Sequence, residues 1–224
     1  MGYAKLLICL LVSYVSFVVA QDRSTAVVKA AFRNASIPED LHINFNPNFL
    51  LEVTFPQPGR RSVPVTAGVQ LPRNQTVGPP HFAIRGDSGL ELGQHFVVAT
   101  VDPDAPTPQD PTSAQIRHFL GSNFILTPGA LVGERPLNNL TVPLSNWLQP
   151  TPPAGSDAHR YVFLLFRQPR DFSNQTLVTS TTSVANFNIS SFAAATHLGN
   201  PIAGTFIRVA PDPCEFIERL RCLN

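Results

Sequence analysis

Proline sets the first limit on this chain. It fills 22 of 224 positions, and each proline fixes φ and removes a backbone donor, which cuts helices and bars central strands. Long helices and coiled coils are therefore excluded. Between the prolines lie short apolar runs at 50–55, 62–69, 82–84, 96–101, 119–126, 161–166 and 202–209. Their length and their Val and Phe content predict strands. The runs 96–101 and 161–166 are apolar at nearly every position. They lack the two-residue alternation of a strand with one wet face, so both faces should be covered, as in the middle of a layered sheet.

Helical patterning is sparse. Val27, Ala30, Ala31 and Phe32 fall near helical spacing and predict a short helix over 25–35, with Ser24 as its cap and Ile37-Pro38-Glu39 as its stop. Two more short helices are predicted at 189–197 and 214–223. The Pro-rich stretch 127–156 reads as a long flexible loop.

Residues 1–20 read as a signal peptide. Lys5 gives the positive start, Leu6 opens the apolar run, and Val18-Val19-Ala20 resembles a cleavage site before Gln21. The apolar stretch is shorter than the roughly 20 residues a spanning helix needs, so no transmembrane span is expected. A single domain should occupy 21–224, its 43% hydrophobic content being ample for a core. Removing Lys5 leaves 15 basic and 15 acidic side chains. A neutral chain without a basic stripe has no pull on nucleic acid, and a monomer is expected.

Other features agree with export to the extracellular space. Asn-x-Ser/Thr occurs at Asn34, Asn74, Asn139, Asn174 and Asn188, the pattern of glycan acceptors. Cys214 and Cys222 remain as an even pair, which an oxidising compartment would bridge. On one helix that spacing gives about 12 Å, beyond the roughly 7 Å limit between bridged Cα atoms. Pro211 and Pro213 place Cys214 at a loop end, so a Cys214–Cys222 disulfide requires non-helical chain between the two.

The densest chemistry lies in Asp102-Pro103-Asp104-Ala105-Pro106-Thr107-Pro108-Gln109-Asp110-Pro111, directly after a buried run. Its prolines make an extended, stiff loop that holds two carboxylates at a strand end. His118 and His159 each sit beside a predicted strand. If those strands flank 96–101, both imidazoles converge on Asp102. An Asp that accepts one ring N–H leaves the other nitrogen facing outward, and with Tyr161 this makes a small anion cradle. No His/Cys cluster has metal spacing, and neither metal nor cofactor is expected. Gly86-Asp87-Ser88-Gly89 lacks the context of a protease or lipase nucleophile and reads as a tight turn. No complete triad can be assembled, so a non-catalytic role is expected.

Three pieces in order resemble the phosphatidylethanolamine-binding proteins, also called Raf kinase inhibitor-like proteins. They are Val101-Asp102-Pro103-Asp104-Ala105-Pro106 with Asp110-Pro111, then Arg117-His118-Phe119-Leu120, then Pro152-Pro153 with His159-Arg160-Tyr161-Val162-Phe163. Ile202-Ala203-Gly204-Thr205-Phe206 is similar to the family's late strand. Ile116, Thr151 and Asp157-Ala158 depart from the family pattern, where Trp, Gly and Gly-x are usual. The resemblance implies a mainly β fold, a large antiparallel sheet packed on a smaller sheet with a few peripheral short helices. It implies a cavity for phosphate or phosphorylethanolamine lined by Asp102, His118, His159 and Tyr161, with Pro106 and Pro153 shaping its walls and Ala105–Pro106 cis. It makes a lipid headgroup the expected ligand. The alternative is inhibition of a protease, a serine carboxypeptidase in particular.

Overall fold

The computed structural model describes residues 21–86, 89–90, 93–127 and 134–212. The expected export segment, the Cys214/Cys222 pair, the helix at 214–223 and part of the Gly86–Gly89 turn lie outside the described residues.

Three short α-helices and nine strands, with single 3-10 turns at Arg73–Gln75 and Phe172–Asn174, make up the described fold; the α-helices and strands carry the numbering. In chain order they are α1 (Thr25–Asn34), α2 (Ile37–Asp40), β1 (Leu50–Phe55), β2 (Val63–Pro64), β3 (Val69–Gln70), β4 (His81–Arg85), β5 (His95–Asp102), β6 (Ile116–Leu126), β7 (Glu134–Asn139), β8 (His159–Arg167), α3 (Ile189–Ala195) and β9 (Ala203–Val209). The strands form one hydrogen-bonded sheet in the order β2-β1-β4-β7-β6-β5-β8-β9-β3. Its described pairings are antiparallel except for β3 with β9.

The sheet curls until β1 approaches β9, and the N–H groups of Asn48 and Phe49 both donate to Ile202 O, at 2.9 and 3.3 Å. Inside the curl, Leu51, Val53 and Phe55 of β1 and Phe82 and Ile84 of β4 join the core that holds Tyr161, Phe163 and Leu165 of β8. On the outer face, Val97, Ala99 and Val101 of β5 and Val162, Leu164 and Phe166 of β8 share a core with Val28, Phe32, Ile37, Leu41, Ile189 and Phe192 of the helical segments. This is the double covering that the two uninterrupted apolar runs demanded. Each buried Phe or Leu contributes roughly 1.5–3 kcal/mol through lost water contact. Gly204 lets the helical layer come close: a Cβ there would lie 2.8 Å from Phe163 O and 3.2 Å from the stacked rings of Phe32 and Phe45.

The two sheets expected from the resemblance are two halves of this one ladder, joined through the β6–β7 pairing. Several local expectations are corrected. The stretch 127–156 carries β7, which pairs with both β4 and β6, and Ser145 bridges to Leu120. Its prolines hid a strand because Pro136 sits within β7, where tertiary pairing overrides local propensity. The run 62–69 splits into β2 and β3 on opposite edges of the sheet. Ile37-Pro38-Glu39 forms α2 with Pro near its start, where a missing N–H costs nothing. Ser24 stands at the N-cap of α1 but makes no side-chain cap bond, and α1 buries Val28 and Phe32 while Val27 is exposed.

Candidate functional site

Strand order brings the site together. β6 and β8 flank β5 on either side, so the end of β5 at Asp102 meets the starts of both neighbours. The register on β6 slips between Thr100↔Phe119 and Val101↔Arg117. His118 is therefore the extra residue of a β-bulge, a feature that re-aims a side chain and increases local twist. Asp102 leads into a loop in which Ala105–Pro106 is cis, as expected, and Ala114–Gln115 is also cis.

Asp102, His118, His159 and Tyr161 are 2%, 3%, 1% and 1% exposed. Asp102 Oδ1 accepts the Asp104 N–H at 2.7 Å, and Oδ2 accepts His159 Nδ1–H at 2.8 Å. His118 Nε2 lies 3.9 Å from the same Oδ2. His118 Nδ1 is 2.7 Å from Leu148 O, and since a carbonyl only accepts, this nitrogen carries a proton. Burial pushes the His118 pKa below the usual histidine range, outweighing the Leu148 bond and the Asp102 charge, and His159 adds to the lowering. The neutral ring then turns an unprotonated Nε2 toward the carboxylate. The ring of Tyr161 meets His118 edge-on at 4.9 Å and stacks with His159 at 6.3 Å. Burial first, then the charges of Asp102 and Asp104, raise the Tyr161 pKa far above its ordinary value, against smaller opposing effects from the Thr151 backbone bond and Arg73. Tyr161 keeps its proton as a donor.

The sequence pointed to Asp102, His118, His159 and Tyr161, and the structure brings all four together. Pro106 and Pro153 are both exposed, on the loops that follow β5 and precede β8. Asp104, marked in the sequence as the loop's second carboxylate, meets a residue that was not marked as a site candidate. Asp104 points its carboxylate at Arg160, which donates from its backbone N (2.7 Å), from Nε (2.9 Å) and from a terminal nitrogen (2.5 Å). Arg160 also pairs with Asp40 at 2.7 Å and donates to Ala35 O, tying the loop after β5 to the α1–α2 corner. Burial alone would lower the Arg160 pKa, but Asp104 and Asp40 raise it above the ordinary value. The signal was present at the start of β8, where Arg160 stands as a charged residue between His159 and the apolar run that opens at Tyr161.

Ser156 is the second omission. Its Oγ lies 2.9 Å from His159 Nε2 and 2.9 Å from Asp157 O. Ser156 N–H donates to Pro153 O at 3.1 Å, and Gly155 has φ 85°, the third position of a four-residue turn where positive φ calls for glycine. The sequence alone assembled no Ser-His-Asp set. The structure assembles one, because a tight turn folds Ser156 back onto a histidine three residues later.

The five sequons are all reachable. Asn34, Asn74, Asn174 and Asn188 are exposed and Asn139 is half-buried. Asn188 Oδ1 caps α3 by accepting Ser191 N–H at 2.8 Å. Among the described residues no group of three His, Cys, Asp or Glu is placed to hold a metal ion, and no helix is long and apolar enough to cross a membrane.

A buried carboxylate–histidine pair lies with a second histidine and a phenol at the end of a curled β-sheet. The chain belongs to the phosphatidylethanolamine-binding protein family, whose sequence pattern matches residues 61–207. It is 34% identical over 162 residues to Protein FLOWERING LOCUS T of Arabidopsis thaliana, covering 72% of this chain and 80% of that one. It is 28% identical over 162 residues to CEN-like protein 4 of Nicotiana tabacum, covering 72% and 81%. Among solved structures it resembles a carboxypeptidase Y inhibitor complexed with its cognate proteinase, with TM-score 0.73 and 22% identity over 84% of this chain and 97% of that one. A phosphatidylethanolamine-binding protein from Plasmodium vivax gives TM-score 0.63 and 16% identity over 82% and 97%. These two likenesses concern the fold.

Proposed function

We propose that this chain is an exported binding protein whose Asp102–His118–His159–Tyr161 site captures a phosphate group, free or carried by a lipid headgroup such as phosphorylethanolamine. The observation that carries this reading is the convergence of both imidazoles on one aspartate from opposite sides of β5. A protonated imidazole whose far nitrogen is anchored, by Asp102 for His159 and by Leu148 O for His118, presents its other N–H to an anion at little entropic cost. Tyr161 supplies a neutral donor beside them. Ser156 occupies His159 Nε2, so an entering anion takes the place of its hydroxyl. Pro106 and Pro153 stiffen the two loops at the mouth.

Titration calorimetry with inorganic phosphate and with phosphorylethanolamine tests the reading. Saturable binding that is lost in His118→Gln and His159→Gln is expected, and its absence for both ligands in the folded parent protein overturns it. Export is supported by the apolar leader and by the reachable sequons. Secretion of a monomer that loses mass on treatment with an N-glycosidase is the expected result.

A second reading is inhibition of a serine carboxypeptidase, favoured by the fold shared with the carboxypeptidase Y inhibitor. Carboxypeptidase assays with the purified protein separate the two: full enzyme activity at micromolar protein would sink this reading and leave the first untouched.

A further inference from the structure

We propose that Ser156, His159 and Asp102 form a nucleophile–base–carboxylate relay, and that the chain transfers acyl groups from small carboxylic esters to Ser156 and then to water. Three observations carry this. Ser156 Oγ stands 2.9 Å from His159 Nε2, and His159 Nδ1 stands 2.8 Å from Asp102 Oδ2, so nucleophile, base and orienting carboxylate are joined in hydrogen-bond sequence. Ser156 is half-exposed while His159 and Asp102 are buried, so the hydroxyl meets solvent while its base stays dry. The Pro153–Ser156 backbone bond and the positive φ of Gly155 fix the serine in place. A polar cleft of about 600 Å³ begins one residue further on, lined in part by Asp157, Ala158, Asp104 and Arg160.

The chemistry balances without any co-reactant but water. Ser156 Oγ attacks the carbonyl carbon, and its proton passes to His159 Nε2. Asp102, accepting the Nδ1–H, stabilises the imidazolium so formed. Tyr161, protonated and stacked beside His159, is assigned as the donor to the developing oxyanion within this proposal. The imidazolium returns its proton to the leaving alkoxide as the ester C–O bond breaks. Water then attacks the acyl-serine, its proton going to His159, and the acyl–Oγ bond breaks with return of that proton to Ser156. His159 is shared with the anion-binding reading, but the relay stands without it.

The full-length purified protein is tested with a fluorophosphonate probe, read by peptide mass spectrometry, and with p-nitrophenyl acetate and butyrate. A single adduct on Ser156 is expected, together with ester hydrolysis that drops roughly a hundredfold or more in Ser156→Ala. The substituted side chain is half-exposed, and an unchanged unfolding temperature shows that the variant is native. No adduct, an adduct elsewhere, or hydrolysis by Ser156→Ala within about twofold of the parent overturns the relay. Phosphate titration of the same variant reports on the anion site separately. Removing the hydroxyl that competes for His159 Nε2 should strengthen binding there, and absence of binding in both parent and variant beside intact labelling of the parent sinks the anion reading alone.

Discussion

Asp102 Oδ2 and His159 Nδ1 stand 2.8 Å apart although 57 residues separate them along the chain. The contact exists because β5 ends where β8 begins, and it sets which ring nitrogen of His159 faces the site. Partners that orient a functional histidine typically cost about 10–100-fold when removed. Asp102→Asn should therefore weaken phosphate binding by at least roughly tenfold while the far-ultraviolet dichroism stays native. Calorimetry at one pH decides it, and an unchanged affinity would mean that packing alone orients the ring.

The buried His118 makes stability depend on pH. Its pKa in the fold is lowered by burial, whereas in the unfolded chain it returns to about 6.5. Between those values the unfolded chain binds the extra proton, so its contribution to stability is complete above about 6.5 and is lost as pH falls toward the folded value. Thermal unfolding compared at about pH 7.5 and 5.5 should show a fall that is smaller in His118→Gln. Anion binding runs the opposite way. A phosphate that accepts from His118 Nε2 must bring a proton with it, so affinity should rise as pH falls. Calorimetry in buffers of different ionisation enthalpy measures the uptake, and equal apparent enthalpies would show that His118 stays neutral.

Arg160 joins Asp104, Asp40 and Ala35 O in one cluster. Breaking a buried charge pair from one side costs about 3–5 kcal/mol, since the partner is left charged and desolvated. Arg160→Ala should lower stability by about 3 kcal/mol, because the guanidinium keeps some solvent contact. Arg160→Lys should recover less than half of that, as an ammonium cannot bond both carboxylate oxygens in one plane. Urea unfolding gives both numbers, and equal stability of the Lys variant and the parent would refute the bidentate role.

Gly155 holds φ 85° in the turn that presents Ser156. Alanine is strained there by about 1–2 kcal/mol. Gly155→Ala should lose about that much stability and pull the Ser156 hydroxyl off His159. The imidazole proton resonances of His159 report the second effect, and a spectrum identical to the parent would show the turn absorbing the substitution.

Much of the site could be read without coordinates. The loop Asp102–Pro106, the histidines at two strand starts and Tyr161 were all marked by residue type beside an apolar run. Their convergence on Asp102 required that both histidine-bearing strands flank 96–101, which the strand order supplies. What stayed hidden depended on geometry that sequence spacing does not encode. The bulge at His118 is a one-residue slip with no marker of its own. Ser156 was one polar residue in a Pro- and Gly-rich stretch until the turn at Gly155 aimed it. β7 was masked by Pro136, and its strand identity comes from partners on both sides. Asp104 and Arg160 lay within motifs already in view, but their link to Asp40 crosses three elements.

The borders of the sheet carry a last consequence. β2 and β3, the outermost strands in the hydrogen-bonded order, are two residues each, and β2 ends on Pro64. Neither offers a neighbouring molecule a long row of open amide groups, which is the template for edge-to-edge growth. The most apolar strands, β5 and β8, are enclosed on both flanks. Crowded solutions of the folded chain should therefore resist fibril formation, and the segments most prone to cross-β stacking become available only when the whole curl opens.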